Sequence, residues 1–247
     1  MESQTTDSVG RQESIAIPNL IEMVMASTRF IGALSELTDD AARAPSRLAG
    51  WSRAHVITHV ARNADAYSHL LHWAETGEEH FLYDSAEQRD ADLEAGALRS
   101  AHDLRVDAAA SAGRFMQAIN ELDVRHEDAL VAKGPGGPRF PARELATHRL
   151  VELNVHHADL GIGYTHDEWS PHFCDVLLSS VVTDRADGPA MVLRATDTGG
   201  EWAYGGSGDG PTLTGRACEL AWWAIGRGNG SGVTSDSGAL PVLTAWR

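Results

Sequence analysis

The segment from Pro141 to Leu160 constrains the fold more than any other part of the chain, because it has a helical pattern with apolar residues on most sides. At 100° per residue, five ionisable side chains share about a third of the helix circumference. These are His148, Arg149, Glu152, His156 and Asp159. An ordinary solvated stripe would carry mainly Lys, Glu, Gln and Arg, so the two histidines favour a buried polar stripe. The sequence therefore predicts a helix enclosed in a bundle.

Three other segments with apolar residues at helical spacing precede this one. The first begins near Ile17, the second lies between Ser52 and Gly77, and the third covers 86–122. Ser52 is a suitable N-cap and Gly77 a suitable C-cap for the second helix. The sequence KGPGGP at 133–138 predicts a turn or short hairpin before the fourth helix. Four long helices with one crossover predict an antiparallel four-helix bundle.

The composition changes after Gly163, where shorter elements follow. Helices are predicted from about Pro171 to Asp184 and from about Arg216 to Ile225. Between them, the runs AMVLRAT, EWAYGG and PTLTG are separated by Gly, Asp and Pro turns and predict short strands. We therefore expect an α+β protein with three parts: a mobile N-terminal tail at 1–14, the four-helix bundle at 15–163 and a small α/β C-terminal domain at 164–247.

The charge balance limits the possible partners. The 35 acidic residues outnumber the 20 Lys and Arg residues, which gives a net charge of -15. Nucleic acids and anionic membranes are bound by clusters of positive charge, so this balance argues against both. No apolar run approaches the roughly 20 residues of a membrane-spanning helix, and the first residues lack the pattern of a signal peptide. We expect a soluble, cytoplasmic protein, whose only cysteines, Cys174 and Cys218, are buried thiols.

Within the ionisable stripe, Glu152 and His156 lie one helical turn apart and point the same way. Their Cβ atoms are expected about 6 Å apart, the separation that two ligands of one metal ion need. A buried ion pair is the alternative that this spacing leaves open. On the second helix, His59 lies on the flank of the apolar stripe beside Asn63, whereas His55 is turned further toward solvent. We therefore expect His59 rather than His55 to be an inward-facing third ligand.

The set of His59, Glu152 and His156 supplies two imidazoles and one carboxylate. Three protein ligands leave coordination positions open, which is typical of catalytic rather than structural zinc sites. Asp159, three residues after His156, is expected either to orient that imidazole by a hydrogen bond or to serve as a cap or surface residue. Arg149 is a candidate ion-pair partner within the stripe.

Four stretches of the chain carry a resemblance to a known family: GWSRAHVITHVARNA, LLHWAETGEE, RLVELNVHHADLG and GRGNGSGVTS. Through them, the chain resembles the mycothiol-dependent maleylpyruvate isomerases, which belong to the wider DinB-like metalloenzyme group. The resemblance implies a DinB-like four-helix bundle, a smaller α/β C-terminal domain and a divalent metal, usually zinc, bound by His59, Glu152 and His156. It also implies that Arg227, in the GRG segment, and Arg89, in SAEQRD, are catalytic. From the residues alone, Arg227 would instead be a loop arginine that serves a helix C-terminus or a surface ion pair.

The resemblance implies that maleylpyruvate is isomerised from cis to trans, giving fumarylpyruvate, with mycothiol as cosubstrate in gentisate-type breakdown of aromatic compounds. The substrate must lose its double bond temporarily, and addition of a thiolate achieves this. Coordination to a metal lowers the pKa of the mycothiol sulfur, which makes it a nucleophile at neutral pH. Once the bond has rotated, elimination of the thiol releases the product. Arg227 is the candidate for holding a substrate carboxylate or the enolate oxygen.

Two other functions fit the same residues. A mycothiol S-transferase would use the same thiolate and stop after its addition to another electrophile. A non-catalytic metal- or thiol-binding protein would need neither open coordination positions nor an anion-binding arginine, so the two enzymes are preferred. The expected partners are the small-molecule substrate and mycothiol, with no nucleic acid and no membrane, and the expected assembly is a monomer.

Overall fold

The computed structural model describes residues 17–206, 209–243 and 246. The tail predicted at residues 1–14 lies outside the described residues. Within them, the helices are α1 Leu20–Ala33, α2 Asp39–Arg43, α3 Arg53–Thr76, α4 Ala86–Ala97, α5 Ala101–Glu121, α6 Leu145–Leu160, α7 Pro171–Asp184 and α8 Ala217–Ala224. The strands are β1 Leu130–Ala132, β2 Arg139–Pro141, β3 Met191–Ala195, β4 Glu201–Tyr204, β5 Thr212–Gly215 and β6 Val233–Ser235.

The start of α3 and the ends of α3 and α6 follow the predicted capping residues. The Ser52 hydroxyl accepts a hydrogen bond from the His55 amide and so caps the N-terminus of α3. Gly77 and Gly161 follow α3 and α6 in left-handed backbone, with φ angles of 76° and 66°. Glycine adopts this conformation without the steric cost that a Cβ atom brings. The caps therefore fix both ends of α3 and the end of α6, the two helices that carry the predicted metal ligands.

The prediction of one continuous third helix over 86–122 is wrong. The segment forms two helices, α4 and α5, with a break before Ser100. The Ser100 hydroxyl accepts a hydrogen bond from the Asp103 amide, which starts a new helix at that point. The helical composition of the whole segment concealed this break, because Ser and Asp stabilise a helix start more than a helix interior.

The predicted start of the fourth helix is also wrong, by about one turn. Pro141 ends strand β2, a 3-10 turn follows at 142–144, and α6 begins at Leu145. The hairpin expected around 133–138 is present, because β1 and β2 pair antiparallel on either side of it. The hairpin therefore extends further along the chain than its turn residues indicated.

Helices α1, α3, α5 and α6 form the bundle, and α4 packs on α3. The bundle consists of two parallel pairs, α1 with α6 and α3 with α5, and the pairs run antiparallel to each other. The contacts that establish the parallel pairs are Asn19 with Thr147, Phe30 with His157, Arg62 with Asp107 and Tyr67 with Phe115. The contacts that establish the antiparallel arrangement of α3 and α6 are His59 with His156 and Tyr67 with His148. The predicted crossover is made by α4, which brings the chain back so that α5 starts beside the start of α3.

The second part of the chain contains a four-stranded sheet in the order β4-β3-β5-β6. β3 pairs antiparallel with β4 and parallel with β5, and β6 pairs antiparallel with β5. Helix α8 packs against β3, β5 and β6, while α7 packs against β4, α8 and α6. The predicted α+β class is confirmed, and α7 attaches the sheet to the helical bundle. Among the described residues, we find no helix with the length and apolar character needed to cross a membrane.

Close packing of α4 on α3 leads to a stability prediction. A Cβ atom on Gly96 would lie 2.3 Å from Cγ2 of Thr58, whose β-branched side chain has little freedom to move in a helix. We therefore expect Gly96→Ala to lower the free energy of unfolding by about 1–3 kcal/mol. Gly113→Ala is the matched control in α5, because nothing lies within 4 Å of its Cβ position. The control should be neutral or stabilising by up to about 1 kcal/mol, and urea titrations of both variants measure the difference. Equal stability of the two variants would contradict the packing argument.

Candidate metal centre

A cavity of about 910 Å³ lies where the helical bundle meets the segment that follows α8. Its walls contain all five residues predicted for the site. The lining residues include His59, Asn63 and Tyr67 from α3, Arg89 from α4, Glu152 and His156 from α6, and Arg227 from the segment after α8. A cavity with this size and with several convergent polar groups is typical of a small-molecule site.

At one wall of the cavity, His59, Glu152 and His156 meet. Oε2 of Glu152 lies 3.1 Å from Nε2 of His59 and 3.3 Å from Nε2 of His156. The candidate ligand atoms of the three residues all lie within 4.8 Å of one another. Each of these side chains is about nine-tenths buried, with 11–12% exposed. The three residues therefore form a compact, convergent set of two nitrogens and one oxygen.

His55 is not part of this set. Its Nδ1 accepts a hydrogen bond from the Ser52 amide, 3.2 Å away, which completes the cap of α3. Its Nε2 lies 3.5 Å from Oε2 of Glu94, outside the cavity. The structure therefore turns His59 toward Glu152 and leaves His55 to the helix cap.

The donor set fits a divalent metal ion such as zinc. Ligand atoms that bind tetrahedral zinc at 2.0–2.1 Å are separated from one another by about 3.3 Å. The two distances from Glu152 to the imidazoles, 3.1 Å and 3.3 Å, are close to this value. The mixture of imidazole nitrogen and carboxylate oxygen is also one that zinc accepts. Three ligands from the protein would leave room for a further ligand from the cavity.

Electrostatics keep the three side chains in a defined protonation state when no metal is bound. Burial favours the neutral form of Glu152, but hydrogen bonds from His156 and His59 outweigh it and hold its pKa well below the ordinary value. Burial also opposes the charge of His156, but hydrogen bonds to Asp159 and Glu152 raise its pKa to about 9. Burial and the nearby His156 lower the pKa of His59. A metal ion would thus meet an ionised carboxylate and one neutral imidazole, and would displace a proton from His156.

Asp159 connects this cluster to Arg227. Oδ2 of Asp159 lies 3.0 Å from Nδ1 of His156 and 3.2 Å from Nη2 of Arg227. The Asp159 side chain is fully buried. Of the two roles expected for Asp159, the structure shows the hydrogen bond to the imidazole. That bond leaves Nε2 of His156 facing Glu152, and it fixes the orientation of the ring.

Arg227 lines the cavity, but most of its guanidinium is engaged. Nη1 donates to the backbone carbonyls of Ile225 and Trp246, both at 3.1 Å, while Nε and Nη2 donate to Asp159. A guanidinium has five N–H groups. One N–H on Nη2 therefore remains without an acceptor among the described residues. Arg227 contacts Asp159 and not the three clustered residues themselves.

Arg89 also lines the cavity and is held less firmly. Its side chain is 34% exposed, donates to Asp90 at 2.9 Å and lies 5.8 Å from the centre of the Tyr83 ring. A side chain with this exposure keeps freedom to change rotamer. The structure thus places the two predicted arginines in one cavity but in different roles, because Arg227 is fixed by buried bonds and Arg89 is not.

Sequence reasoning assigned no role in the site to several residues that line the cavity. Asn63 and Tyr67 follow His59 at steps of four along α3, so the helical spacing that placed Asn63 beside His59 also points to Tyr67. Lys133, the only lysine of the chain, stands in the cavity wall with its Nζ 5.9 Å from the Tyr67 ring centre. Tyr83 lies in the loop before α4, where no periodic pattern marks it.

Arg149 does not form the ion pair that its position in the ionisable stripe suggested. Its Nη1 donates to the Val60 carbonyl at 2.9 Å and to Oδ1 of Asn63 at 2.7 Å. Among the described residues, no carboxylate lies within ion-pairing distance of this buried guanidinium. The contact with Asn63 instead joins α6 to α3 one turn away from Glu152.

Comparison with known proteins gives a family and a structural match. The model of the mycothiol maleylpyruvate isomerase N-terminal domain matches residues 25–161, and the model of the MDMPI C-terminal domain matches residues 168–245. The chain is similar to a crystal structure of the mycothiol-dependent maleylpyruvate isomerase, with 28% identity and a TM-score of 0.86. A structure of a histidine-to-alanine mutant of that isomerase gives 27% identity and a TM-score of 0.85. Both matches cover 94% of this chain and 98% of the other. A search of curated proteins gave no significant match.

The separation of His59 from His55 leads to a prediction about metal content. We expect about one divalent metal ion per chain, and His59→Gln should reduce that content at least tenfold, since one of three ligands is lost. His55→Gln is the matched control, because it changes a histidine one turn away that caps the helix instead of facing Glu152. Elemental analysis by mass spectrometry after exhaustive dialysis measures both. Metal retained by His59→Gln, or lost only from His55→Gln, would refute this choice of ligand.

Proposed function

The chain belongs to the mycothiol maleylpyruvate isomerase family, and on this basis we propose that it converts maleylpyruvate to fumarylpyruvate with mycothiol as cosubstrate. The observation that carries the proposal is the convergence of His59, Glu152 and His156 on one wall of a cavity of about 910 Å³. The similarity to solved isomerase structures over 94% of the chain supports it. Such a reaction would belong to gentisate-type breakdown of aromatic compounds.

We propose that His59, Glu152 and His156 hold a divalent metal ion, zinc being the best fit to two nitrogens and one oxygen. When bound, the metal would supply a low pKa to a coordinated thiol, which makes a thiolate available at neutral pH. Asp159 keeps Nδ1 of His156 protonated and so reserves Nε2 for the metal. All three residues line the cavity, from which a thiol can approach.

The nucleophile in this scheme is the cosubstrate sulfur and not a protein thiol. Cys174 and Cys218 are buried and do not line the cavity. Burial raises the pKa of Cys174 to about 12 and also raises that of Cys218. Both thiols therefore stay protonated at neutral pH and are poor nucleophiles.

The substrate has a carbon–carbon double bond conjugated to a ketone. A bond from sulfur to one alkene carbon moves the alkene electron pair onto the ketone oxygen, which gives an enolate with a rotatable carbon–carbon bond. When the pair returns, the carbon–sulfur bond breaks and the trans alkene forms. The protein must therefore hold the carboxylates while the middle of the molecule turns, and it must stabilise a negative oxygen.

We propose that Arg89 and Arg227 are the catalytic arginines. The remaining N–H of Arg227 can donate to an anion in the cavity, while the bonds to Asp159 keep the guanidinium in place. Arg89 can turn its guanidinium toward a substrate carboxylate, because its side chain is about one-third exposed and its ion pair with Asp90 lies at the surface. Trp51 and Trp222 form apolar parts of the wall, which limit the water around these charges.

We further propose a division of the chain into a metal-binding bundle at 15–163 and a small α/β domain at 164–247, supported by the two family matches at 25–161 and 168–245. The active site would then lie between the two parts, because Arg227 comes from the second.

A monomer is the simplest assembly, since all five proposed site residues come from one chain. We propose a cytoplasmic location, where small thiols are kept reduced.

A direct assay tests the proposed activity. Purified protein is mixed with maleylpyruvate in the presence and absence of mycothiol, and fumarylpyruvate is quantified by chromatography. We expect the trans product only when mycothiol is present, with the total amount of thiol unchanged, because the thiol is released in each cycle. A thiol adduct that accumulates in place of the isomer would indicate an S-transferase, and absence of any reaction would reject maleylpyruvate as the substrate.

Substitution of Arg89 should weaken substrate binding. We expect Arg89→Gln to raise KM for maleylpyruvate about 10- to 100-fold, because a hydrogen bond between charged groups contributes about 1.5–3 kcal/mol. Arg125→Gln is the control, since Arg125 is an exposed arginine that pairs with Asp123 and does not line the cavity. Steady-state kinetics of both variants measure the effect, and an unchanged KM in Arg89→Gln would remove Arg89 from the site.

A further inference from the structure

Asn63 is a buried amide side chain in the wall of the cavity, one helical turn beyond His59 on the same face of α3. It is only 3% exposed. The side chains of His59 and Asn63 are therefore neighbours, with Cβ atoms about 6 Å apart. None of the roles assigned above uses Asn63.

The orientation of the Asn63 amide is fixed by Arg149. Nη1 of Arg149 donates to Oδ1 of Asn63 at 2.7 Å. Because a guanidinium can only donate, the amide oxygen must face Arg149 and the NH₂ group must point away from Arg149. The buried Arg149 is itself tied to the Val60 carbonyl at 2.9 Å, so it provides a rigid anchor.

The NH₂ group of Asn63 faces the cavity. No described residue accepts a hydrogen bond from Nδ2. Nδ2 is also not among the polar atoms that are sealed in the protein without a partner. Since Asn63 lines the cavity, these two facts leave the cavity as the direction in which its N–H groups point. A buried donor that already points at a cavity needs no reorganisation when an acceptor arrives there.

The charge of Arg149 strengthens this donor. Burial lowers the pKa of Arg149 to about 10, and the guanidinium therefore stays charged at neutral pH. A cation bound to the amide oxygen draws electron density from the amide, which makes the N–H groups better donors. Arg149 thus acts on the cavity through Asn63, although it does not line the cavity itself.

We propose that Asn63 is a further catalytic residue, which donates an N–H hydrogen bond to the oxygen that becomes negative when sulfur adds to the substrate, with Arg149 as the residue that positions it. The inference rests on the proposed isomerase function. In that reaction the alkene electron pair moves onto the ketone oxygen and later returns. A donor beside the thiolate-binding cluster stabilises the intermediate more than the neutral ketone, and so it raises kcat rather than affinity.

Arg227 has one N–H group left for the cavity, and Asp159 balances the charge of its guanidinium. Asn63 is neutral and lies beside His59, so it can approach the oxygen without competing for Glu152. The two donors would therefore act on different parts of the substrate, with Arg227 on a carboxylate and Asn63 on the ketone oxygen.

Two substitutions separate catalysis from packing. Asn63→Asp keeps an oxygen that accepts from Arg149 and loses the N–H groups, so folding and metal content should be preserved. Asn63→Leu has the same number of side-chain heavy atoms with the same branching and carries no charge, so it shows whether a fall in rate comes from the lost donor or from the added carboxylate. Asn154→Asp is the control, because Asn154 is an equally buried amide on α6 that bonds Tyr164 and does not line the cavity.

We expect kcat for maleylpyruvate to fall about 100- to 1000-fold in both Asn63 variants, the loss typical of one oxyanion donor. KM should change less than about threefold, and Asn154→Asp should keep its kcat within about threefold. Metal content and thermal denaturation are measured for every variant. If either folded, metal-loaded Asn63 variant keeps its kcat, the inference is overturned while the proposed function stands. A wild-type protein without isomerase activity would overturn both, so the two failures are distinguishable.

Discussion

The carboxylate of Glu152, buried between two imidazoles, is the interaction on which the site depends. A buried charge is costly unless opposite charges and hydrogen bonds compensate for it. Here His156 provides the opposite charge, His59 provides a second contact from another helix, and Asp159 holds His156 in place. The bundle must therefore keep α3 and α6 antiparallel and in one register, and that register also sets Asn63 against Arg149. The same packing leaves the open cavity beside the cluster.

The network also joins the two parts of the chain. Asp159 receives Arg227, which in turn donates to carbonyls of Ile225 and Trp246. A ligand that binds Nε2 of His156 changes the charge of the imidazole beside Asp159. It therefore also changes the strength of the interaction between Asp159 and Arg227. Binding energies that are coupled in this way are reciprocal. Docking of the second part onto the bundle and occupation of the cluster should therefore affect each other by the same amount.

The features of the fold and the site that depend on residues close together in the sequence could be predicted from the sequence. The bounds of α3 follow from Ser52 and Gly77, and the pairing of Glu152 with His156 follows from their spacing on one helix. The choice of His59 over His55 needed a helical wheel as well as the family resemblance. The break before Ser100 could not be predicted, because it depends on a cap inside a strongly helical segment. The contact of Arg149 with Asn63 could not be predicted either, because it joins residues 86 positions apart. Long-range contacts of that kind have no signature in a single sequence.

The position of Lys133 has a consequence for chemical labelling. It is the only lysine in the chain, and it stands in the wall of the cavity near Tyr67. Reagents that acylate amines therefore have a single side-chain target in this protein, and that target lies beside the reaction space. A bound small molecule would shield it. Mass spectrometry of one modified peptide could thus report cavity occupancy without any catalytic turnover, for ligands that are neither substrate nor product.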